Sequence, residues 1–231
     1  MDAVKRAWYQ EDTMITHRIV GTRSRGLAAL MLLVGLVPAA SVGAQDRMPP
    51  IPADQMTEAQ KKAVADYKAI RGTDPTAPPW SVLLRVPGQV VPALQIRMHY
   101  LNDSALDQRL TEFAIFIAAR RWTNNWEWNA HYPNAVRVGL KPAIIAALAD
   151  GRRPQGMAED EEALYDFCTE LQENQSVSDS TYARALAKFG EPGIVEMASI
   201  EGYYTYLAMI MNAARITVPP NVKPPLEPFP R

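Results

Sequence analysis

The chain has 231 residues, enough for one ordinary domain and a targeting segment. Hydrophobic residues make up 48% of it and charged residues 21%, which is the balance of a globular protein with a substantial core. The formal net charge is -1, so no overall field would draw the protein to nucleic acid or to an anionic membrane surface. The composition therefore argues against a nucleic-acid-binding protein.

The first 44 residues have the three parts of a secretory signal peptide. Basic residues precede a short apolar run from Leu27 to Val37, and small residues follow Pro38 up to an expected cleavage site after Ala44. The basic residues are Arg18, Arg23 and Arg25. Since a serine separates the last two, they do not form a twin-arginine pair. The pattern predicts general secretion and a periplasmic or secreted protein.

A retained membrane anchor is the alternative interpretation of this segment. The apolar run is about half of the ~20 residues that span a bilayer, so we expect no stable membrane insertion after cleavage. Met14 is a second candidate for the true start. Cleavage of the signal removes five basic and three acidic residues, so the mature chain keeps 24 − 5 = 19 basic and 25 − 3 = 22 acidic residues. This mature chain begins near Gln45 and has a net charge of -3.

Eight helices are predicted along the mature chain from the spacing of apolar residues and from helix-starting and helix-ending residues. They cover Thr57 to Ile70, Pro87 to Leu101, Leu106 to Trp122, Asn124 to Val138, Ala143 to Asp150, Glu159 to Glu173, Ser178 to Phe189 and Gly193 to Ile216. The third has the clearest pattern, because no glycine or proline interrupts its apolar stripe. That stripe comprises Leu110, Phe113, Ala114, Ile117 and Ala118.

Several helix ends carry recognisable residues. Thr57 and Gln60 have the spacing of a capping box at the start of the first helix. Pro133 lies inside the fourth helix and is expected to bend it or to start a new turn, and Gly139 is placed to cap its end. These helix-end residues therefore agree with the helix boundaries predicted from the spacing of apolar residues.

Proline-rich stretches separate and flank the helices. Residues 45–79 form a proline-containing arm and the first helix, residues 80–218 form the helical domain, and residues 219–231 form a tail. Six prolines between 218 and 231 exclude regular structure there, and we expect the tail to wrap over the domain or a neighbouring subunit. No segment alternates with a period of two for long enough to be a strand, so the predicted class is all-α.

Cys168 is the only cysteine, so the exported protein has no intramolecular disulfide. It lies in an apolar helical stretch, which favours a small buried core residue over a reactive thiol.

Two histidines remain after signal cleavage, His99 and His131. Glu127 precedes His131 by four residues, so the two side chains share one helix face, and Asn124 is one turn earlier on that face. Glu112 lies near the start of the preceding helix. A carboxylate beside an imidazole orients the ring and raises its basicity, which makes the pair suitable for general acid–base catalysis.

Two other interpretations of this pair stay open. In the first, it is a surface ion pair and the tryptophans around it belong to the core. In the second, Glu127 and His131 bind a metal ion together with His99 or Glu112. Because the chain has no second histidine at ligand spacing, the sequence predicts no metal site.

The segment from Arg109 to Leu140 reads Arg-x-x-Glu, an apolar helix, Trp-Glu-Trp-x-x-His and then Ala-x-x-x-Gly-Leu. It resembles the carboxymuconolactone decarboxylase family, whose alkylhydroperoxidase D branch has a glutamate, eleven residues, Cys-x-x-Cys, three residues and a histidine. Glu112 and His131 stand at that glutamate and histidine with the spacing preserved, and Asn124 and Glu127 replace the two cysteines. The resemblance covers roughly residues 80–218.

The resemblance implies an alkylhydroperoxidase D-like helical bundle that assembles as a homotrimer or homohexamer. A peroxiredoxin-type oxidoreductase is disfavoured, since no cysteine pair is present to reduce a peroxide. The decarboxylase branch of the family uses no cofactor. The resemblance of this chain to that branch implies a lyase acting on a small carboxylated or lactone compound. An isomerase or a lactone hydrolase would need the same groups, and a non-catalytic binding or scaffold protein of the same fold is the further alternative.

In this interpretation Glu127 or His131 donates a proton to carbon and Glu112 orients His131. The predicted substrate-binding residues are Arg109, Arg120, Asn124, Trp126 and Trp128. The substrate carboxylate would be held by Arg109, Arg120 or Arg121.

Overall fold

The computed structural model describes residues 46–223 and 225–228. Within these residues the chain forms eight α-helices and no strand, which confirms the all-α class. The helices are α1 (Glu58–Arg71), α2 (Trp80–Leu83), α3 (Val90–Asn102), α4 (Gln108–Arg121), α5 (Asn125–Arg137), α6 (Pro142–Ala149), α7 (Glu159–Asn174) and α8 (Asp179–Ala214). Single 3₁₀ turns lie at Ala53–Gln55 and Pro87–Gln89. The predicted signal peptide lies outside the described residues.

The predicted helix ends agree with the observed caps. The capping box at α1 is confirmed: Thr57 Oγ1 accepts from the backbone N–H of Gln60, and the Gln60 side chain accepts from the backbone N–H of Thr57. At α5 the side chain of Asn124 accepts a hydrogen bond from the backbone N–H of Glu127. Caps of this kind satisfy backbone donors that the helix itself leaves unpaired, so they determine where each helix begins.

Helix α4 is the centre of the bundle. Every residue from Leu110 to Arg120 is buried, because α5, α6, α7 and α8 pack around it. The sequence predicted a single apolar stripe on this helix, but the polar side chains of Thr111 and Glu112 are as deeply buried as the stripe. A helix buried on all sides takes its polar residues into the core, where they need partners.

Helix α5 includes Pro133 and continues through it to Arg137. Pro133 lies on the exposed face of the helix. No new helix begins at this proline. The opposite face of α5 is buried and carries Glu127, His131 and Asn134.

Helix α8 has two parts that meet at Gly190. This residue has φ 64° and ψ 179°, a conformation that only glycine adopts at low cost, and Pro192 follows two residues later. The break agrees with the sequence prediction of separate helices before and after it. The second part of α8 contacts α3, α4 and α5, and its buried residues include Tyr203 and Tyr204.

The arm and the tail both pack on the chain's own helical domain. Asp46 Oδ1 accepts from the backbone N–H of Thr217, just beyond the end of α8. Farther along the tail, Leu226 is 2% exposed, and its backbone N–H and C=O both bond the side-chain amide of Asn125. The tail therefore holds the first turn of α5, the helix that carries Glu127 and His131.

Among the described helices, none has the length and apolar character that crossing a membrane requires.

Candidate active site

The predicted acid–base residues come together between α4 and α5. Glu112 lies on the buried central helix α4, and Glu127 and His131 lie one turn apart on the buried face of α5. We call these three residues the glutamate–histidine cluster. Their side chains are almost fully enclosed, with 0%, 4% and 9% of the surfaces of Glu112, Glu127 and His131 exposed.

The imidazole of His131 lies between the two carboxylates. His131 Nδ1 is hydrogen-bonded to Glu112 Oε2 at 2.9 Å, so Nδ1 donates its N–H to the carboxylate. On the other side of the ring, Nε2 lies 3.5 Å from Glu127 Oε2. This order makes Glu112 the orienting group and leaves Nε2 and Glu127 as the pair between which a proton can move.

One carboxylate oxygen in the cluster lacks a hydrogen-bond partner. Glu127 Oε1 is buried and unpaired. Both oxygens of Glu112 are occupied in contrast, because Oε1 accepts from Asn134 Nδ2. Buried polar atoms in proteins are nearly always paired, so an unpaired carboxylate oxygen indicates a position for a proton or for a polar atom of a ligand.

Burial and charge both shift the pKa values in the cluster. Burial raises the pKa of Glu127, although the charges of His131 and Arg97 oppose that shift. For His131, burial lowers the pKa, but the charge and hydrogen bond of Glu112 and the charge of Glu127 outweigh it, so the pKa is raised. The cluster therefore keeps protons at a pH where an exposed glutamate and histidine would have lost them.

Two groups from other helices complete the surroundings. Tyr204 of α8 presents its ring edge-on to the His131 ring, with centroids 5.3 Å apart. The charge of Arg97, on α3, lowers the pKa of both Glu127 and His131, so its guanidinium lies within electrostatic range of the pair.

The predicted substrate-binding arginines contact other parts of the molecule. Arg109 donates to Glu161 Oε1 at 2.7 Å and to Asp160 Oδ2 at 2.5 Å, which ties α4 to the start of α7. Arg120 donates to Thr123 Oγ1 at the end of α4. Arg97, which the sequence analysis did not select, is the arginine whose charge acts on the cluster.

The other predicted binding residues support the fold around the site. Asn124 caps α5 and donates to Asn212 Oδ1 at 2.9 Å, which joins α5 to α8. Trp126 donates from Nε1 to the carbonyl of Pro78, and Trp128 packs edge-on against Phe116 in the core. The aromatic ring that packs edge-on against His131 belongs to Tyr204.

The resemblance is not supported by comparison with known proteins. No family model, curated protein or solved structure matches this chain. The relation to carboxymuconolactone decarboxylases stays a prediction from the spacing between Glu112 and His131.

The alternative of a metal site receives no support from the arrangement of donors. Among the residues that the structure describes, no three His, Cys, Asp or Glu side chains are grouped so as to hold a metal ion. His99, the further ligand considered, pairs through Nε2 with Glu196 Oε1, and Ser104 donates to the other oxygen of Glu196.

Sequence reasoning missed three residues of the site. Asn134 follows His131 by three residues on the same helix face, so helical spacing could have found it. Arg97 and Tyr204 lie on α3 and α8, distant in sequence, and no local pattern connects them to His131.

Proposed function

We propose that this protein is an acid–base enzyme that acts on a small carboxylated or lactone compound, of the lyase type found in carboxymuconolactone decarboxylases. In this proposal Glu127 and His131 transfer the proton, Glu112 orients His131, and the chain uses no cofactor. The protein is exported, as its first 44 residues predict, and works as a homotrimer or homohexamer, as the resemblance implies.

The unpaired oxygen of Glu127 carries the proposal. Most buried acceptors in proteins have partners, as both oxygens of Glu112 do in His131 and Asn134. Glu127 leaves Oε1 without a partner although the residue is only 3% exposed. The raised pKa of Glu127 favours the protonated form, in which this oxygen can carry a transferable proton.

A decarboxylation reaction would consume the proton of Glu127. When the bond between the substrate carbon and its carboxylate breaks, carbon dioxide leaves and the electron pair stays on a dienolate. Protonated Glu127 then donates to the dienolate carbon, a C–H bond forms, and Glu127 becomes a carboxylate that His131 stabilises from 3.5 Å. A proton from water restores the acid.

Arg97 is the best candidate to hold the substrate carboxylate before it leaves. Its charge reaches both Glu127 and His131, whereas the Arg109 guanidinium lies at the start of α7. A guanidinium binds a carboxylate with two parallel hydrogen bonds, which would orient the bond to be broken toward the acid.

A thiol-dependent peroxidase does not fit the described residues. Cys168 is buried in α7, and burial, together with the nearby Glu201, raises the pKa of its thiol. A thiol with a raised pKa is a poor nucleophile at neutral pH, and no second cysteine exists in the sequence to resolve an oxidised form.

Activity assays on the chain that begins at Gln45 test the proposal. The purified protein is screened against lactones and unsaturated diacids, and we expect turnover with release of carbon dioxide from an unsaturated diacid. His131→Ala or Glu127→Gln should lower kcat by roughly 10²–10⁴, the usual loss when a general acid or base is removed. Glu112→Gln should cost less, because the proton donor survives.

A matched control separates catalysis from stability. Glu173→Gln makes the same chemical change on the exposed side of α7 and should leave kcat unaltered. The melting temperature of each variant is measured beside its rate, since Glu127 and His131 are buried and paired. If all the cluster variants fold and retain normal turnover of an identified substrate, the active site lies elsewhere.

A further inference from the structure

Tyr204 is a buried residue of the site whose hydroxyl group is not used by the fold. The residue is 3% exposed. Its sequence neighbour Tyr203 donates its hydroxyl to the backbone carbonyl of Ala93 at 2.9 Å, and Tyr206 donates to Gln89 Oε1 at 2.7 Å. Among the residues that the structure describes, none forms a hydrogen bond with the hydroxyl of Tyr204. Buried polar groups nearly always have partners, so this hydroxyl is available to a ligand.

The ring of Tyr204 is held in one position by two perpendicular contacts. It meets the His131 ring with centroids 5.3 Å apart at an angle of 88°, and it meets the Tyr203 ring at 5.1 Å and 89°. Edge-to-face packing is a favoured arrangement of aromatic rings, and Tyr203 is itself bonded to α3 through Ala93. The hydroxyl is therefore placed by the packing of α8 against α3 and α5 before any ligand binds.

The charges that act on this hydroxyl belong to the acid–base pair and to the arginine beside it. Burial raises the pKa of the Tyr204 hydroxyl well above its ordinary value of 10. The charge of Arg97 opposes that shift, the charge of Glu127 adds to it, and the charge of Glu112 has a smaller effect than either. The hydroxyl therefore lies toward Arg97 and Glu127, and it stays protonated at neutral pH, where it can donate a hydrogen bond.

The site thus contains two polar groups without partners, and they come from different helices. Glu127 on α5 leaves Oε1 unpaired, and Tyr204 on α8 leaves its hydroxyl unpaired. When Glu127 is protonated both groups are donors, and Arg97 on α3 adds its positive charge to the same region. Donors that converge from three helices suit an anion whose negative charge is spread over more than one atom.

We propose that the Tyr204 hydroxyl donates a hydrogen bond to the oxygen of the dienolate that forms when the substrate loses carbon dioxide. This inference rests on the proposed function and adds a further catalytic group to it. When the bond to the carboxylate breaks, its electron pair moves through the conjugated system to a carbonyl oxygen, which becomes negative. Tyr204 bonds this oxygen while Glu127 protonates the carbon. The carbonyl group then forms again, and the phenolic proton stays on Tyr204 throughout.

This hydrogen bond lowers the barrier because it is stronger to the dienolate than to the substrate. A donor bonds an oxygen anion roughly twice as strongly as it bonds a neutral oxygen. Since the ring of Tyr204 is already fixed in a buried position, little reorganisation is needed as the charge develops. The loss of one such donor lowers kcat by roughly 10²–10³ in enzymes that stabilise an oxygen anion.

The donor also narrows the substrate class. Tyr204 can stabilise the anion only when a carbonyl oxygen of the substrate is conjugated with the carbon that loses carbon dioxide. We therefore expect turnover of unsaturated acids that contain such a carbonyl group, and no turnover of saturated acids that lack it.

Paired tyrosine variants test the role of the hydroxyl. Tyr204→Phe removes an oxygen atom that has no partner in the described residues, so the melting temperature should stay close to that of the wild type. Its kcat on an identified substrate should fall by roughly 10²-fold with little change in KM, because the bond is strongest in the transition state. Tyr203→Phe is the matched control. It loses the hydrogen bond to Ala93, so its melting temperature should fall while kcat stays near the wild-type value. An unchanged kcat in Tyr204→Phe would overturn the proposal.

Binding of a lactone enolate tests the contact without a known substrate. Tetronate is the enolate anion of a five-membered lactone, and calorimetry measures its affinity for the chain that begins at Gln45. Tyr204→Phe should weaken binding by about tenfold or more, the loss expected for a hydrogen bond to a charged atom, whereas Tyr203→Phe should bind like the wild type. Equal affinities of the wild type and Tyr204→Phe, or no binding by either, would overturn the contact even if the wild type releases carbon dioxide from an acid. Affinity that depends on Tyr204, without turnover of any acid tested, would support the contact with an enolate oxygen and contradict the lyase activity instead.

Discussion

A buried carboxyl group on α8 should make the free energy of unfolding fall as the pH rises. Glu201 on α8 is 2% exposed, and burial raises its pKa to about 8 from an ordinary value of 4.5. Its Oε2 accepts from Gln172 Nε2 at 2.8 Å, Oε1 has no hydrogen-bond partner, and the Cys168 thiol lies near the carboxyl group. The neutral, protonated carboxyl is therefore the form that the folded protein prefers.

The sign and size of the effect follow from proton binding. Between about pH 4.5 and pH 8 the folded state keeps a proton that the unfolded state loses, so the contribution of Glu201 is fully present below pH 4.5 and is lost as the pH rises through 8. Each pH unit is worth about 1.4 kcal/mol, which gives an upper limit of roughly 5 kcal/mol across the interval. Replacement by glutamine keeps the shape of the neutral acid and removes the titration.

Urea unfolding of the wild type and of Glu201→Gln at about pH 5 and about pH 8 measures this contribution. We expect the two proteins to be similar in stability at the lower pH, and the variant to be more stable by about 2–5 kcal/mol at the higher pH. Glu173→Gln, an exposed change on α7, should keep the wild-type pH dependence. A variant whose unfolding free energy falls with pH as steeply as that of the wild type would refute the reasoning.

The remaining predictions concern other parts of the chain. Cys168→Ser should leave any turnover, including that of peroxides, within about twofold, a change below ~0.5 kcal/mol in the barrier, and a collapse in peroxide turnover would contradict the absence of thiol chemistry. Mass spectrometry of the exported protein should find a chain beginning near Gln45, and a form that retains Leu27 to Val37 would contradict the signal peptide. Leu226→Ala should lower the unfolding free energy by about 2–4 kcal/mol, because a 2% exposed side chain is removed beside α5, and an unchanged midpoint in urea would show that the tail does not hold that helix.

Helix positions were accessible from the sequence because their causes are local. A capping residue and its backbone partner lie within one turn, so Thr57 and Asn124 mark helix starts without reference to the rest of the chain. Gly190 and Pro192 likewise interrupt α8 through their own backbone preferences. The pairing of Glu127 with His131 belongs to the same class, because four residues of helix bring the two side chains to one face.

Tertiary packing decided what these residues can do. The burial of Glu112, its bond to His131 and the unpaired oxygen of Glu127 depend on how α4 and α5 meet. Arg97 and Tyr204 reach the cluster from helices that are distant in the chain, and the same packing buries Glu196 and Glu201. The sequence by itself determined the longer helices and the shared face of Glu127 and His131, since backbone hydrogen bonding acts over a few residues, whereas the short helix α2 was not predicted. Only the folded arrangement determined solvent exclusion, pKa shifts and surfaces, since these depend on which helices come into contact.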